Sequence, residues 1–441
     1  MCTPPIDPSR PFKINYLFER VAFRRSLIMS SLDIFRTLFL DAKRAQSDTI
    51  KLSRTRYRPP APSVIDKLHP TWQKKRLGIL CGIVVLALLI ATLWPFNFLA
   101  PNKVTWLPGT NGIRFGGNGL VLSKTPAAAE GTELRKDCSL ELLFRPSNID
   151  SSFTLLGFYD PDEGRQFLVR QWRDGLLVYH DVVDAQNKLK RSKFDVVHVF
   201  QPGKIAFLTI TSGPSGTVVY LNASPVQAFS RFKISQKELS GQIVMGTSPI
   251  EYLPGAGEVS GLALYLKELT PVEVFRHYRN WTAERGLVPP DLESALASSY
   301  AFTEGAGRDI HNAVVSGADL EIPTRFALPH KALLKSPVKE FEANWDYWND
   351  VLRNIAGFVP LGFIVCAYWA CTQSRKQAIL CAILCGAALS FIIELLQFYI
   401  PQRNSGVTDI ITNTLGTALG AVLMRPTLVE ALLRRGKSII A

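Results

Sequence analysis

Four apolar runs, at residues 77–98, about 351–371, about 377–400 and about 407–424, limit most strongly what this chain can fold into. A helix needs about 20 apolar residues to cross the hydrocarbon of a bilayer, and each run comes near that length, the last being short and polar at its start. Trp94, Pro95, Phe96 and Phe98 close the first run with the aromatics expected at a headgroup boundary. Only helices or closed barrels satisfy their own backbone in hydrocarbon, so the runs predict a bundle of four transmembrane helices in a multi-pass membrane protein.

Charge orients the bundle. Residues 1–76 carry 16 basic and 6 acidic side chains and end in Lys74, Lys75 and Arg76 against the first run. Lys and Arg favour the cytoplasmic side, so this arm is expected inside. Arg375 and Lys376 between the second and third runs, and Arg425, Arg434, Arg435 and Lys437 after the fourth, agree with cytoplasmic N- and C-termini in an inner membrane. Residues 101–349, with 26 basic and 27 acidic groups, then lie on the periplasmic side. The expected order is a cytoplasmic arm (1–76), helix one (77–98), an exported domain (101–330), a linker (331–349), helices two to four (350–424) and a basic tail (425–441).

The exported block is large enough for a packed core, and with Cys138 as its one cysteine it holds no internal disulfide. Cys381 and Cys385, a helical turn apart in an apolar run, read as small packing residues. In the arm, Leu17, Val21, Ile28, Leu32, Phe35 and Phe39 form a stripe that Arg24, Arg25 and Arg36 avoid. That pattern suits a helix on an anionic leaflet; a poorly ordered arm, or sequence upstream of a start at Met29, suits it as well. Pro59, Pro60 and Pro62 mark a linker. A membrane surface accounts for the basic residues, so nucleic acid is not an expected partner.

Short apolar or alternating runs at 139–144, 153–158, 167–172, 176–179, 205–211 and 217–221, separated by turn residues, predict an all-β antiparallel sandwich. Thr270, Pro271 and Glu273 supply the cap, first-turn proline and N3 acid of a short helix through about Trp281. The segments GLALYLKELTPVEV from Gly261, followed by His277 and Tyr278, and YAFTEGAGRD from Tyr300, resemble phrases of laminin-G-like, concanavalin A-like jelly rolls over roughly 103–325. The resemblance implies a two-sheet sandwich of the kind found in both lectins and glucanases, which leaves glycan or protein binding open, and no residue marks a ligand pocket. No alternating acid-rich strand of the glucanase type is present. Asp160, Asp162 and Glu163 read as a solvated turn, with weak calcium binding as the alternative; no other cofactor is expected. Asn222-Ala-Ser and Asn280-Trp-Thr match the glycosylation pattern without deciding anything.

Polar residues gather at the outer ends of the last three runs. Asp350 and Asn354, Glu394 and Gln397, and Asp409 and Asn413 each share a helix face, and Arg403 lies in the loop between the last two runs. An ionisable side chain at the centre of a span costs about 2.5–3.5 kcal/mol on insertion scales, so such residues mark functional sites by default. Gly416 and Gly420 make a small-residue face, and Pro360 should bend helix two. The expectation is a shallow polar pocket with Glu394 and Asp409 as charged centres, Arg403 as an anion clamp, and Gln397, Asn354 and Asn413 orienting them. The bland alternative ties the same groups together as a scaffold.

NDVLRNIAGFVPLGF from Asn349, SFIIELLQ from Ser390, Arg403 and DIITNTLG from Asp409 also resemble successive motifs of the VanZ-like membrane family, over about 345–424. The run at 77–98 is similar to that family's first span, so the jelly roll reads as an insertion between helices one and two. The resemblance implies work on membrane lipids, a lipid-linked precursor or other envelope glycan, or a glycopeptide antibiotic such as teicoplanin, and thereby on antibiotic susceptibility. Two other classes stay open. Paired carboxylates could serve an intramembrane enzyme, although no His, activated nucleophile or metal-ligand spacing accompanies them. The helices could also merely anchor a carbohydrate-binding or adhesion domain.

Overall fold

The computed structural model describes residues 64–127, 137–162, 164–183, 189–283, 295–315 and 317–429. The stripe at 17–39, Met29, the prolines at 59–62, Cys2, Glu163, Arg434, Arg435 and Lys437 lie outside the described residues. The helices are α1 (Val64–Leu93), α2 (Pro271–Thr282), α3 (Pro337–Glu340), α4 (Trp345–Ala370), α5 (Arg375–Phe398) and α6 (Val407–Leu423). The chain divides into a helical unit (1–96, 333–397 and 404–441) and a second unit (97–332 and 398–403).

In the helical unit, 73–93, α4 and α5 are long and apolar enough to cross a membrane, whereas α6 has 17 residues. At 1.5 Å per residue α6 spans only about 26 Å, so the expected four full spans are three plus a shorter apolar helix. Each boundary has a local cause. Pro95 cannot continue α1, which stops at Leu93 and not at Phe98. The Asn344 side chain accepts the Tyr347 N–H at 2.8 Å, so α4 begins five residues before its expected start at Asp350. Ser374 and Gln377 cap α5 reciprocally, by backbone-to-side-chain bonds of 3.2 and 3.4 Å.

Close approach of α4 and α6 depends on glycine. A Cβ on Gly416 would run into the Ile355 carbonyl oxygen and one on Gly420 into that of Val359, while Gly362 of α4 meets the Thr417 carbonyl in return. The small-residue face expected of α6 therefore packs backbone to backbone, across the helix that carries Pro360.

The second unit is an antiparallel β-sandwich. Its strands are β1 (Val104–Trp106), β2 (Ile113–Phe115), β3 (Val121–Ser123), β4 (Cys138–Pro146), β5 (Ser152–Asp160), β6 (Arg165–Trp172), β7 (Gly175–Val183), β8 (Leu189–Val196), β9 (Ala206–Gly213), β10 (Gly216–Leu221), β11 (Ser224–Phe229), β12 (Gln242–Met245), β13 (Gly257–Tyr265), β14 (Leu296–Tyr300), β15 (Asp309–Ile310) and β16 (Leu320–Glu321). One eight-stranded sheet runs β1-β2-β13-β4-β9-β10-β11 with β14 also on β13, and the other runs β15-β16-β3-β12-β5-β6-β7-β8. Leu140, Leu142 and Phe144 of the first sheet and Phe153, Phe167, Val169 and Val178 of the second fill the space between, the period-2 pattern of half-buried strands.

The first sheet is buried on its other face too, because α2 lies there. Val274 and Trp281 pack with Leu143, Phe207 and Tyr265. A Cβ on Gly261 would clash with the Trp281 ring, which is why β13 carries glycine at that point. The expected cap of α2 is present: Thr270 N–H donates to Glu273 Oε2 at 2.7 Å and Glu273 N–H to Thr270 Oγ1 at 3.3 Å.

Candidate functional site

The first turn of α6 gathers hydrogen bonds from three other segments of the helical unit. The opening N–H groups of a helix have no partner within it and form the positive end of its dipole, so they attract acceptors and carboxylates above all. Here three successive donors are taken by other segments. Gly406 N–H donates to Glu394 Oε2 of α5 at 2.9 Å, Val407 N–H to the Lys335 carbonyl at 3.0 Å, and Thr408 N–H to Glu340 Oε2 of α3 at 3.1 Å. Lys335 N–H returns to the Ser405 carbonyl at 3.0 Å. A side chain at 406 would collide with the Glu340 carboxyl.

Around this turn the structure brings together four of the seven residues expected at the pocket. Glu394 is 1% exposed, and Asp409 and Glu340 act on it electrostatically. Asn354 Nδ2 donates to Asp409 Oδ1 at 2.7 Å, linking α4 to α6. One turn along α6, Asn413 Nδ2 donates to Ser390 Oγ at 2.9 Å, one turn before Glu394 on α5. These pairs form a polar ladder between packed helices. Gln397 turns elsewhere, with Nε2 donating to the Thr92 carbonyl of α1 at 2.9 Å.

The Asp350 side chain is 68% exposed and pairs with Arg353 at 3.4 Å. Residues 346–350, none of them buried, precede the buried body of α4. Arg403 belongs to the sandwich unit, in the turn 398–403, where its N–H donates to the Ile400 carbonyl at 3.0 Å. Glu340 and Ser390 were not singled out by sequence. Glu340 sits in a linker with no periodicity, and Ser390 is a small polar residue in an apolar run; neither announces a partner.

A second polar cluster lies under α2 in the sandwich. Glu141 is fully buried and accepts from Tyr265 Oη at 3.0 Å and Trp281 Nε1 at 3.2 Å, while its Oε1 lies 2.9 Å from His277 Nδ1. Both carboxylate oxygens are thereby engaged, the condition for keeping such a group in a core. At the acidic turn, Asp160 Oδ1 accepts the Asp162 N–H at 3.0 Å, which employs one oxygen of the suggested calcium ligands. Among the described residues no three His, Cys, Asp or Glu side chains converge as a metal-binding group.

The ladder, the closed α6 turn and the small-residue packing all lie within one stretch that a family description covers. Residues 311–430 match the VanZ/LLP1 family model. This VanZ-like segment holds Glu340, Asn354, Ser390, Glu394, Asp409 and Asn413, and with the candidate spans it marks a membrane protein. Among solved structures, the receptor binding domain of botulinum neurotoxin D is 15% identical over 40% of this chain and 46% of its own, with a TM-score of 0.28. The chain thus covers less than half of that toxin domain. A candidate carbohydrate binding protein from Bacteroides ovatus is 14% identical over 50% and 62%, with a TM-score of 0.35. A heptameric SAP-like pentraxin from Limulus polyphemus is 12% identical over 49% and 92%, with a TM-score of 0.31. Among curated proteins no relative matches.

Proposed function

We propose that the VanZ-like segment forms a polar site at the outer-leaflet end of its helices, and that this site binds cell-envelope lipid or glycan material and thereby affects glycopeptide susceptibility. Glu394 and Asp409 are its charged centres, with Asn354 and Asn413 beside them. In this reading both termini are cytoplasmic and the sandwich is exported, supported by the 16 basic against 6 acidic residues before the first span.

One observation carries the proposal. Glu394, 1% exposed in a candidate span, gives an oxygen to the Gly406 N–H across a helix turn. An acid in an apolar helix is disfavoured by several kcal/mol, and closing a helix N-terminus needs only a serine or asparagine, so the carboxylate exceeds the structural need. The test replaces Glu394 by Gln and measures membrane yield together with teicoplanin tolerance in the host. Tolerance should fall while yield holds; equal loss of both would make Glu394 a scaffold residue.

A further inference from the structure

The membrane site described above is closed. Glu394 is 1% exposed and its Oε2 is held by the Gly406 N–H, so a ligand arriving from the outer leaflet reaches it only after a covering segment moves. Two kinds of segment meet at this turn. α5 and α6 are fixed by buried residues, among them Ser390 and Ile393 on the first and Asn413, Gly416 and Thr417 on the second. Residues 335–340 are not fixed in this way: no residue from 333 to 350 is buried, and Val338 of α3 is 88% exposed.

The hold of this segment on the turn is polar. Leu334 N–H donates to Ser405 Oγ at 3.3 Å, Lys335 N–H to the Ser405 carbonyl and Val407 N–H to the Lys335 carbonyl at 3.0 Å each, and Thr408 N–H to Glu340 Oε2 at 3.1 Å. Segments with few buried apolar contacts open at low cost, and the lids of binding sites are drawn from them. Gly406 marks the point of closure. Its φ of −145° is extended backbone that any residue adopts, yet a Cβ there would strike the Glu340 carboxyl. Glycine at 406 leaves the room that Glu340 fills, on the residue whose N–H holds Glu394. We infer that residues 335–340 form a strap that opens and closes the membrane site, with Glu340 as its latch on the first turn of α6. The inference rests on the reading of Glu394 as a ligand-binding group.

The test uses the full chain in phospholipid nanodiscs and needs no ligand. Amide hydrogen exchange resolved by residue should show Lys335 and Val407 exchanging faster than Asn413 and Thr417 in the buried body of α6, because opening of the strap frees them first. Glu340→Ala and Gly406→Ala should each speed exchange at Lys335 and Val407 about tenfold, the factor expected once a hydrogen bond to a charged group no longer holds the closed state. Neither substitution removes the acceptor of these two amides, so a purely local loss would leave them unmoved. Labelling of Glu394 by dicyclohexylcarbodiimide, read by mass spectrometry, should rise by a similar factor in both variants. Lys339→Ala, on the exposed side of the strap, should change neither readout, and unaltered thermal unfolding excludes wider disruption. Exchange at Lys335 and Val407 as slow as in the body of α6, or exchange and labelling indifferent to both substitutions, would overturn the strap and leave the effect of Glu394→Gln on teicoplanin tolerance standing. A strap that moves as expected while Glu394→Gln leaves tolerance intact would instead remove the binding reading alone.

Discussion

Asn354 and Asp409, on helices 55 residues apart in sequence, meet through a 2.7 Å hydrogen bond between amide and carboxylate. The bond joins α4 to the first turn of α6, the turn that Glu394 and Glu340 close from two other segments. Its chemistry is charge-assisted and its setting is a helix interface, where hydrogen bonds average about 0.6 kcal/mol and reach about 1.7 kcal/mol. Asn354→Ala should destabilise the bundle toward the upper end of that range because it leaves Asp409 short of a donor. Asn354→Gln should recover part of the loss. Unfolding of the purified protein in mixed micelles measures both.

Gly416 tests the packing. An added methyl meets the Ile355 carbonyl, which belongs to helix backbone and cannot swing aside. Gly416→Ala should destabilise by about 1–3 kcal/mol, the usual penalty of overpacking, and Gly416→Leu should lower membrane yield further. Alanine at Gly357, where a Cβ meets nothing, should fold normally.

The Glu141 cluster gives a larger effect. Glu141→Ala removes one acceptor from each of the Tyr265 hydroxyl, the Trp281 indole and the His277 ring in a buried space. A loss of about 3 kcal/mol or more is expected, since each unmet buried donor costs about 1–3 kcal/mol. Thermal unfolding of the sandwich, followed by Trp281 fluorescence, reads it.

Acid should loosen α2 specifically. Partial burial acts to raise the Glu273 carboxyl, but hydrogen bonds from Lys267 and Thr270 outweigh it and push it down to about 2. A carboxyl with a depressed folded value favours folding above its unfolded value of about 4.5, and that contribution is lost as pH falls from about 4.5 toward 2. Glu273→Gln should flatten this limb of the stability curve and lower the plateau above pH 4.5, where the carboxylate contributes.

Much of the architecture was legible because it follows from local periodicity. Leu140, Leu142 and Phe144 alternate as a half-buried strand must, and Thr270, Pro271 and Glu273 start a helix as those residues do elsewhere. Glu141 was not legible, since a strand reading assigns the odd positions of β4 to solvent, and only α2 turns them into a second core. Asp350 shows the converse limit: sharing a helical face with Asn354 does not by itself make a side chain buried.

By itself the amino-acid order determined the apolar runs, the strand pattern, the caps and the presence of acids and amides near span ends. These depend on interactions within a few residues, or on transfer of a segment between water and hydrocarbon. Tertiary structure decided the partners: Glu394 with Gly406, Glu340 with Thr408, Asn413 with Ser390 and Gln397 with Thr92. Such choices turn on helix rotation and approach to within a hydrogen bond's length, which backbone packing at Gly362, Gly416 and Gly420 sets and no local spacing encodes.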